Sequence, residues 1–319
     1  QNRWPNLKFD FGSILSSFSK LIPAGFYYKT FMWPPSGWKT YEYFIRKMSG
    51  LGKAAKIHKD PNKYEHIHFH VDVLIVGGGV TGLVSCLLLS SSNLKIMIVD
   101  ENSEFGGSLN YEDDIIINSK SGKSWSIETS RRLENMKNVT VLKRSNVFGY
   151  HDHNYITISE NCNNKSKENI TQRLWKVRAK KVVLAQGLVE RPLVFSGNDL
   201  PGIMLSASVR GYVNKYGVIL GKNVVICTNN DDAYRTALVL HKVGVKIKCI
   251  ADLRKKVSNE IIKKVQHLGI KILFEHSVTH VSGPGYVKIA EVSSLSRKGK
   301  TSLKSTTKIN TDLIAISGG

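Results

Sequence analysis

Hydrophobic and polar positions alternate in two regular patterns along most of this chain. Short runs of Val, Ile and Leu end at glycine or acidic residues, and stretches with helical periodicity follow them, which is typical of βαβ units. The first clear unit reads "VDVLIV", "GGGVTG", "LVSCLLLSSS" and "LKIMIVDEN", beginning at Val71. A second begins after Gly221 with "KNVVICT", "DAYRTALVLHKVG" and "VKIKCIADLR". We therefore predict an open α/β fold with two nucleotide-binding-like units.

The pattern predicts four segments. Residues 1–70 form an aromatic-rich segment that we expect to wrap a surface or an interface. Residues 71–220 form a first dinucleotide-binding domain, residues 221–290 a nested second domain, and residues 291–319 the return to the first. The large rings of the first segment are Trp4, Phe26, Tyr27, Tyr28, Phe31, Trp33 and Trp38.

The first glycine turn matches G-x-G-x-x-G between a predicted strand and a predicted helix. Gly77 permits the sharp turn, Gly79 lets the backbone approach a pyrophosphate, and Gly82 lets helix and strand pack closely. Backbone N–H groups at the helix start, including that of Thr81, would then face an anion. This turn is expected to bind a dinucleotide.

Acidic residues follow the second strand, where a ribose-binding carboxylate is expected. Asp100 comes 18 residues after Gly82, with Glu101 and Asn102 beside it. An acid at this position favours a free 2′-hydroxyl, and so favours NAD or FAD over NADP.

Later residues continue the pattern of the two-dinucleotide-binding-domain flavoprotein fold, the FAD/NAD(P)-binding, Rossmann-like class. Gly106 and Gly107 would set a second turn near the pyrophosphate, and Ser108 would offer a hydroxyl. Val147 lies where a strand backbone would meet an adenine edge. We therefore predict this fold.

The second unit lacks glycines at its turn, "CTNNDDAYRTA". Thr228, Asn230 and Ala233 occupy the three positions, so two side chains stand where a pyrophosphate needs bare backbone. Asp231 and Asp232 would each cap an N–H group and make the site negative. We expect this unit to keep its fold without strong nucleotide affinity.

Composition limits the remaining function classes. The chain has 319 residues, of which 41% are apolar and 22% are charged, which is ordinary for a globular protein. Its net charge of +21 suggests nucleic acid as a partner, but the lysines are dispersed, and no nucleic-acid partner is expected. Glycines interrupt the most apolar stretch, so we expect no membrane span and a cytoplasmic protein.

Cysteines and histidines suggest no further centre. The four cysteines form no Cys-x-x-Cys pair, so neither a zinc ribbon nor a dithiol centre is expected. His66, His68 and His70 would share one strand face, but no other ligand is spaced to complete a site, and no metal is expected. No constellation of catalytic residues is evident.

With these residues in place, the chain resembles the alpha subunits of the heterotetrameric sarcosine oxidases. The most specific stretches are "ERPLVFSGNDLPG" and "TNNDDAYR", and further matches are "NRWPNLKFDFGS", "PAGFYYKTFMWP", "HVDVLIVGGGVTGL", "VDENSEFGGSL" and "TDLIAISGG". Gln186 departs from the usual Thr of the family's Ala-Thr-Gly strand end.

The resemblance implies the cofactors and partners. NAD would bind this chain at the glycine turn with Thr81, Asp100, Glu101, Asn102, Ser108 and Val147. FMN would lie at a subunit interface and FAD on the beta subunit, which oxidises sarcosine with oxygen; gamma and delta subunits complete the complex. We expect the sequence to be a fragment without the family's N-terminal ferredoxin-like and C-terminal folate-binding domains.

Two other hypotheses stay open. The chain could be a stand-alone FAD-dependent enzyme that oxidises NADH without a dithiol centre. It could also be a nucleotide-stabilised scaffold for subunit assembly. The identity of the bound nucleotide distinguishes the first of these from an NAD-binding subunit.

Overall fold

The computed structural model describes residues 5–6, 10–14, 25, 33–50, 60, 62–162, 170–296 and 301–319. The chain divides into two units, Gln1–Asp60 and Pro61–Gly319. In the first unit, helix α1 (Trp38–Ser49) follows a 3-10 turn and ends at Gly50, whose φ of 65° closes the helix. Of the predicted aromatic segment, Trp4, Phe26, Tyr27, Tyr28 and Phe31 lie outside the described residues, so its wrapping role stays a prediction.

The second unit contains both predicted βαβ patterns. Its elements are β1 (Tyr64–Val76), α2 (Val80–Ser90), β2 (Ile96–Val99), β3 (Ile116–Ile117), β4 (Lys120–Ser121), α3 (Gly122–Glu134), β5 (Val139–Leu142), β6 (Ser145–His151), β7 (Tyr155–Asn161), β8 (Gln172–Leu184), β9 (Ile203–Leu205), α4 (Ser206–Tyr216), β10 (Asn223–Thr228), α5 (Asp232–Lys242), β11 (Lys246–Asp252), α6 (Glu260–His267), β12 (Ile272–Phe274), β13 (His276–Ser282), β14 (Ile289–Leu295), β15 (Thr301–Asn310) and β16 (Leu313–Ser317).

The first sheet has the order β5-β2-β1-β8-β7-β6. Strands β5, β2, β1 and β8 are parallel, while β7 pairs antiparallel with both β8 and β6. Helices α2 and α3 pack on one face, where Leu83, Cys86 and Leu133 are buried with the strand residues Ile75 and Ile98. This arrangement places the carboxyl ends of β1, β2 and β8 at one edge, where open α/β sheets bind ligands.

Strand β1 is longer than the apolar run suggests. Its pairing with β8 begins at Tyr64, so the expected domain boundary after residue 70 falls inside the strand. Burial alternates from Tyr64 to His70 and becomes nearly continuous from Val71. His66, His68 and His70 therefore lie together on an exposed strand face.

The second sheet is parallel throughout, with the order β12-β11-β10-β16-β9. Helices α4, α5 and α6 cover one face, and the antiparallel sheet β13-β14-β15 contributes to the core on the other. The expectation that residues 291–319 return to the first domain is wrong. β16 pairs in register with β10, from Val224 opposite Leu313 to Thr228 opposite Ser317. The nested domain also begins before residue 221, because β9 and α4 belong to it.

Gly211 lies inside α4 with room for a side chain. A Cβ added there would meet only the Tyr111 ring, at 3.8 Å. Because glycine is unfavourable in a helix interior, we expect Gly211→Ala to raise the free energy of unfolding by about 1 kcal/mol. Urea unfolding of the purified protein measures this change, and a lower unfolding midpoint in the variant would contradict the packing described for α4.

Candidate functional site

A cavity of about 1410 Å³ opens at the carboxyl ends of the first sheet. Its wall includes the ends of β1, β2 and β8, part of β6, and residues from α4 and α5. Nine of the ten residues predicted to bind a cofactor line it: Gly77, Gly79, Thr81, Asp100, Glu101, Asn102, Gly107, Ser108 and Val147. The structure thus brings together residues up to 70 positions apart in sequence, counting from Gly77 to Val147.

Glycine occupies the three positions of the first turn for different structural reasons. At Gly77, which has a φ of 108°, a Cβ would overlap the carbonyl oxygen of Ala185. At Gly82, the tenth predicted residue, a Cβ would overlap the carbonyl oxygen of Gly77, so this glycine permits the close approach of α2 to the turn. Both glycines are required by the fold itself.

Gly79 differs from these two glycines. Its φ of −73° and ψ of −168° suit any residue, and a Cβ there would have no atom within 4 Å. It lines the cavity, so the space in front of it is cavity space. Nothing within the described fold requires glycine at this position, whereas a ligand that approaches the backbone would.

Helix α2 begins at this turn without a side-chain cap. Gly79 is its N-cap residue and accepts only the intrahelical bond from the Leu83 N–H, at 2.9 Å. The N–H groups of the first helical turn have no partner within the helix. Val80 and Thr81 line the cavity, so the positive end of the helix dipole adjoins it. This is the arrangement that binds phosphate groups.

Asp100 connects the end of β2 to the glycine turn. Its Oδ2 accepts the Gly78 N–H at 2.7 Å, and its Oδ1 accepts both the backbone N–H and the amide of Asn102, at 2.8 and 2.9 Å. A carboxylate offers about four acceptor positions, so Asp100 can still accept from a ribose hydroxyl. Glu101, beside it, is exposed at the cavity wall.

The second predicted turn packs directly on the first. The Gly106 N–H donates to the Gly78 carbonyl oxygen at 2.8 Å, and the 3-10 helix Gly107–Asn110 follows. Gly106 and Gly107 have φ values of 125° and 55°, which only glycine adopts readily. Ser108 reaches the cavity from this turn, and Val147 reaches it from β6.

Sequence reasoning missed a buried ionic network at the cavity wall. Arg210 of α4 donates to Glu112 Oε1 from Nε at 3.0 Å and from a terminal nitrogen at 2.6 Å, and to Asp232 at 3.0 Å. Arg235 contacts the other Glu112 oxygen at 2.9 Å. The Arg210 and Glu112 side chains are only 3% and 5% exposed. The network joins the loop after the second glycine turn to helices α4 and α5.

Burial and ion pairing have opposite effects on the pKa values of the two buried groups in this network. Burial raises the pKa of Glu112, although the Arg210 and Arg235 guanidinium groups act in the opposite direction. Burial also acts to lower the pKa of Arg210, but the carboxylates of Asp232 and Glu112 outweigh it and raise that pKa. No sequence motif predicts this ion pair, because Glu112 and Arg210 are 98 residues apart.

Comparison with known proteins identifies the family. The model of the pyridine nucleotide-disulphide oxidoreductase family matches residues 71–319. The chain belongs to this family. The T. acidophilum thioredoxin reductase structure aligns with a TM-score of 0.57 at 18% identity, covering 78% of this chain and 77% of that one. These findings confirm the predicted flavoprotein fold.

Curated relatives confirm the more specific resemblance. The chain is 42% identical over 259 residues to sarcosine oxidase subunit alpha of Rhizobium meliloti (strain 1021), covering 80% of this chain and 26% of the relative. The same subunit of Corynebacterium sp. (strain U-96) is 32% identical over 277 residues, covering 85% and 28%. The chain thus spans about a quarter of the length of these relatives.

In this member of the pyridine nucleotide-disulphide oxidoreductase family, polar side chains of the turn in the second unit, residues 228–233, bond to other groups of the protein. The expectation that Asp231 and Asp232 cap the helix is wrong, because Asn230 Oδ1 accepts the Asp232 N–H at 3.0 Å. The Asp231 side chain instead contacts Arg254 at 2.8 Å, and that of Asp232 contacts Arg210. The carboxylates pair with guanidinium groups, which neutralise their charge.

The strand-end acid of the second unit is also engaged. Asp252 ends β11, as Asp100 follows β2, but it is fully buried. It accepts from the Tyr234 hydroxyl at 2.7 Å and forms a two-point contact with Arg254 at 3.0 and 2.8 Å. Burial and this carboxylate raise the pKa of Tyr234. The polar groups at the end of β11 are thus satisfied within the protein.

The remaining predicted chemistry involves cysteine and histidine. The four cysteines are free, and burial raises the pKa of Cys86, Cys227 and Cys249 to about 11, so these thiols stay protonated near neutral pH. The described residues contain no cluster of three metal-ligating side chains. Within the described residues of this chain, no helix combines the length and the apolar composition that crossing a membrane requires.

Proposed function

We propose that this chain is the NAD-binding part of the alpha subunit of a multi-subunit sarcosine oxidase. The observation that carries the proposal is the open space in front of Gly79, at the uncapped start of α2. A relative that is 42% identical to this chain over 259 aligned residues is named as such a subunit, which supports the assignment of the complex.

The residues of the cavity fit a dinucleotide. In this proposal the N–H groups of the first turn of α2, with Thr81, bind the pyrophosphate, and Ser108 adds a hydroxyl. Asp100, with Glu101 and Asn102, accepts hydrogen bonds from ribose hydroxyls. The Val147 backbone meets the adenine edge. Bound NAD would supply a nicotinamide ring that can accept a hydride, although the resemblance implies that it is not turned over here.

The amine oxidation itself belongs, in this proposal, to a partner subunit. Sarcosine, oxygen and water would give glycine, hydrogen peroxide and formaldehyde there, or methylene-tetrahydrofolate when tetrahydrofolate takes up the one-carbon unit. FAD would be on the beta subunit and FMN at the interface with this chain, with gamma and delta subunits completing the complex. The cytoplasmic location stays a prediction.

The assignment of amine oxidation to the partner subunit can be tested on the intact complex. We expect sarcosine-dependent peroxide formation by the complete enzyme and its complete loss when the beta subunit is removed, because the resemblance implies that the amine-oxidising FAD belongs to that subunit. Peroxide formation that survives removal of that subunit would place the chemistry on this chain. FAD bound to this chain alone would instead favour the stand-alone FAD-dependent enzyme.

A further inference from the structure

Two buried oxygen atoms in the cavity wall lack hydrogen-bond partners. In the described part of the chain, three buried side-chain polar atoms have no partner, and two of them, Asn110 Oδ1 and Glu190 Oε1, belong to cavity-lining residues. An unpaired buried acceptor costs about 1–3 kcal/mol, so it calls for an explanation. A ligand donor would supply the missing bond.

Glu190 is held rigidly by its other oxygen. Its Oε2 accepts the backbone N–H of Ala207 at 2.9 Å, in the first turn of α4. This bond satisfies a helix-end N–H group that has no partner within the helix. One turn further along α4, Arg210 binds Glu112, two residues after Asn110. Asn110 Oδ1 lies instead beside Gly106 and Ser126, because a Cβ added to Gly106 would be 2.6 Å from that oxygen and 2.7 Å from Ser126 Oγ. Of the two oxygen atoms, only Glu190 Oε1 belongs to a side chain that bonds to α4.

A dinucleotide carries one nucleoside on each side of its pyrophosphate. With the pyrophosphate at Gly79 and the first ribose at Asp100, the second nucleoside must occupy the remaining cavity. Glu190 lies in that remaining wall, because it bonds to α4, whereas Asp100 bonds to Gly78 and Asn102 at the glycine turn. The second nucleoside carries neutral donors, which are ribose hydroxyls and an amide N–H.

We propose that Glu190 Oε1 accepts a hydrogen bond from the second nucleoside of the dinucleotide. This inference rests on the proposed function, because it takes the first nucleoside to be at Asp100. Glu190 then positions the second half of the cofactor and selects neutral donors there. A ligand with a carboxylate in place of the amide meets a like charge and binds more weakly.

The Glu190→Gln variant distinguishes the ligand-binding role of Glu190 from its structural role, which is to accept the Ala207 N–H. A glutamine has one acceptor oxygen, so when that oxygen keeps the Ala207 N–H bond, its NH₂ group faces the cavity and opposes a ligand donor. We expect the variant to unfold at the same temperature as the wild type without nucleotide, and to bind NAD about ten-fold more weakly or worse. AMP, which has only the first nucleoside, should bind equally to both proteins.

The test uses the full-length protein in its complex, stripped of nucleotide, with titration calorimetry of NAD, AMP and ADP-ribose. Glu104→Gln is the matched control, because Glu104 is exposed, does not line the cavity and undergoes the same charge change. An equal loss for NAD and ADP-ribose supports a ribose hydroxyl as the donor, and a loss for NAD alone supports the amide. Unchanged NAD affinity, or equal losses for NAD and AMP, would overturn the inference.

Failure of the proposed function gives a different result. If the wild-type protein binds FAD and not NAD, the assignment of NAD is wrong. The same comparison of Glu190→Gln with wild type, using FAD and AMP, then decides the inference by itself. A selective loss for FAD supports it, and unchanged FAD affinity overturns it.

Discussion

Gly79→Val is expected to abolish dinucleotide binding without unfolding the protein. The extended backbone at Gly79 suits valine, and a Cβ there meets no protein atom within 4 Å. The added side chain would instead fill the space that a pyrophosphate needs at the start of α2. We expect the affinity for NAD to fall at least about 100-fold, equivalent to about 2.7 kcal/mol, in calorimetric titration.

Two other glycines serve as controls for this result. Gly82→Ala should prevent stable folding, because its Cβ would overlap the Gly77 carbonyl oxygen. Gly211→Ala should leave the affinity unchanged, because residue 211 does not line the cavity. If Gly79→Val keeps normal affinity, the pyrophosphate lies elsewhere. If it unfolds as Gly82→Ala does, Gly79 is a packing residue.

Arg210→Met is expected to cause the second large effect, a loss of stability. The substitution leaves the Glu112 carboxylate buried with only Arg235 to balance it. Breaking a buried ion pair on one side typically costs about 3–5 kcal/mol, and the remaining Arg235 contact places the expectation near 3 kcal/mol. Urea unfolding of the purified protein measures the difference.

Lys120→Met provides the matched control for Arg210→Met. Lys120 pairs with Glu128 at 2.5 Å, but both side chains are more than half exposed. We expect this change to cost less than about 1 kcal/mol. Adding Glu112→Gln to Arg210→Met should recover part of the loss, because it removes the stranded charge. Equal small losses in both single variants would mean that the buried network contributes little to stability.

The glycine turn was predictable because its signal is local. Gly77, Gly79 and Gly82 have fixed spacing between a strand and a helix, and Asp100 follows at the end of the next strand. The chain connectivity of a βαβ unit places these residues together without further information. Their role in binding NAD stays a prediction that the cavity geometry supports.

The other half of the cavity wall could not be predicted in this way. Arg210 of α4 meets Glu112 only through the tertiary fold, because the two residues are 98 positions apart in sequence, and neither stands in a recognisable motif. The carboxylates of Asp231 and Asp232 were expected to cap α5, but guanidinium groups from distant segments bind them instead. Long-range charge pairing outweighed a local capping preference.

The sheet to which the last strand belongs was predicted wrongly, because its local pattern fits either of the two sheets. "TDLIAISGG" reads as a buried parallel strand, and both sheets could accept such a strand. Its place beside β10 follows from pairing over Val224–Thr228, which no single-sequence pattern specifies. The early start of β1 was missed because its alternating histidines resemble an exposed segment, although they pair along β8.

This chain is proposed to hold one dinucleotide, NAD, at its first glycine turn and none at the turn of the second unit, residues 228–233. The most direct measurement denatures the intact complex, identifies the released nucleotides and counts them per copy of this chain, for wild type and Gly79→Val. We expect one NAD per chain in the wild type and none in the variant. Two NAD molecules per chain in the wild type, or NAD retained by Gly79→Val, would contradict this assignment.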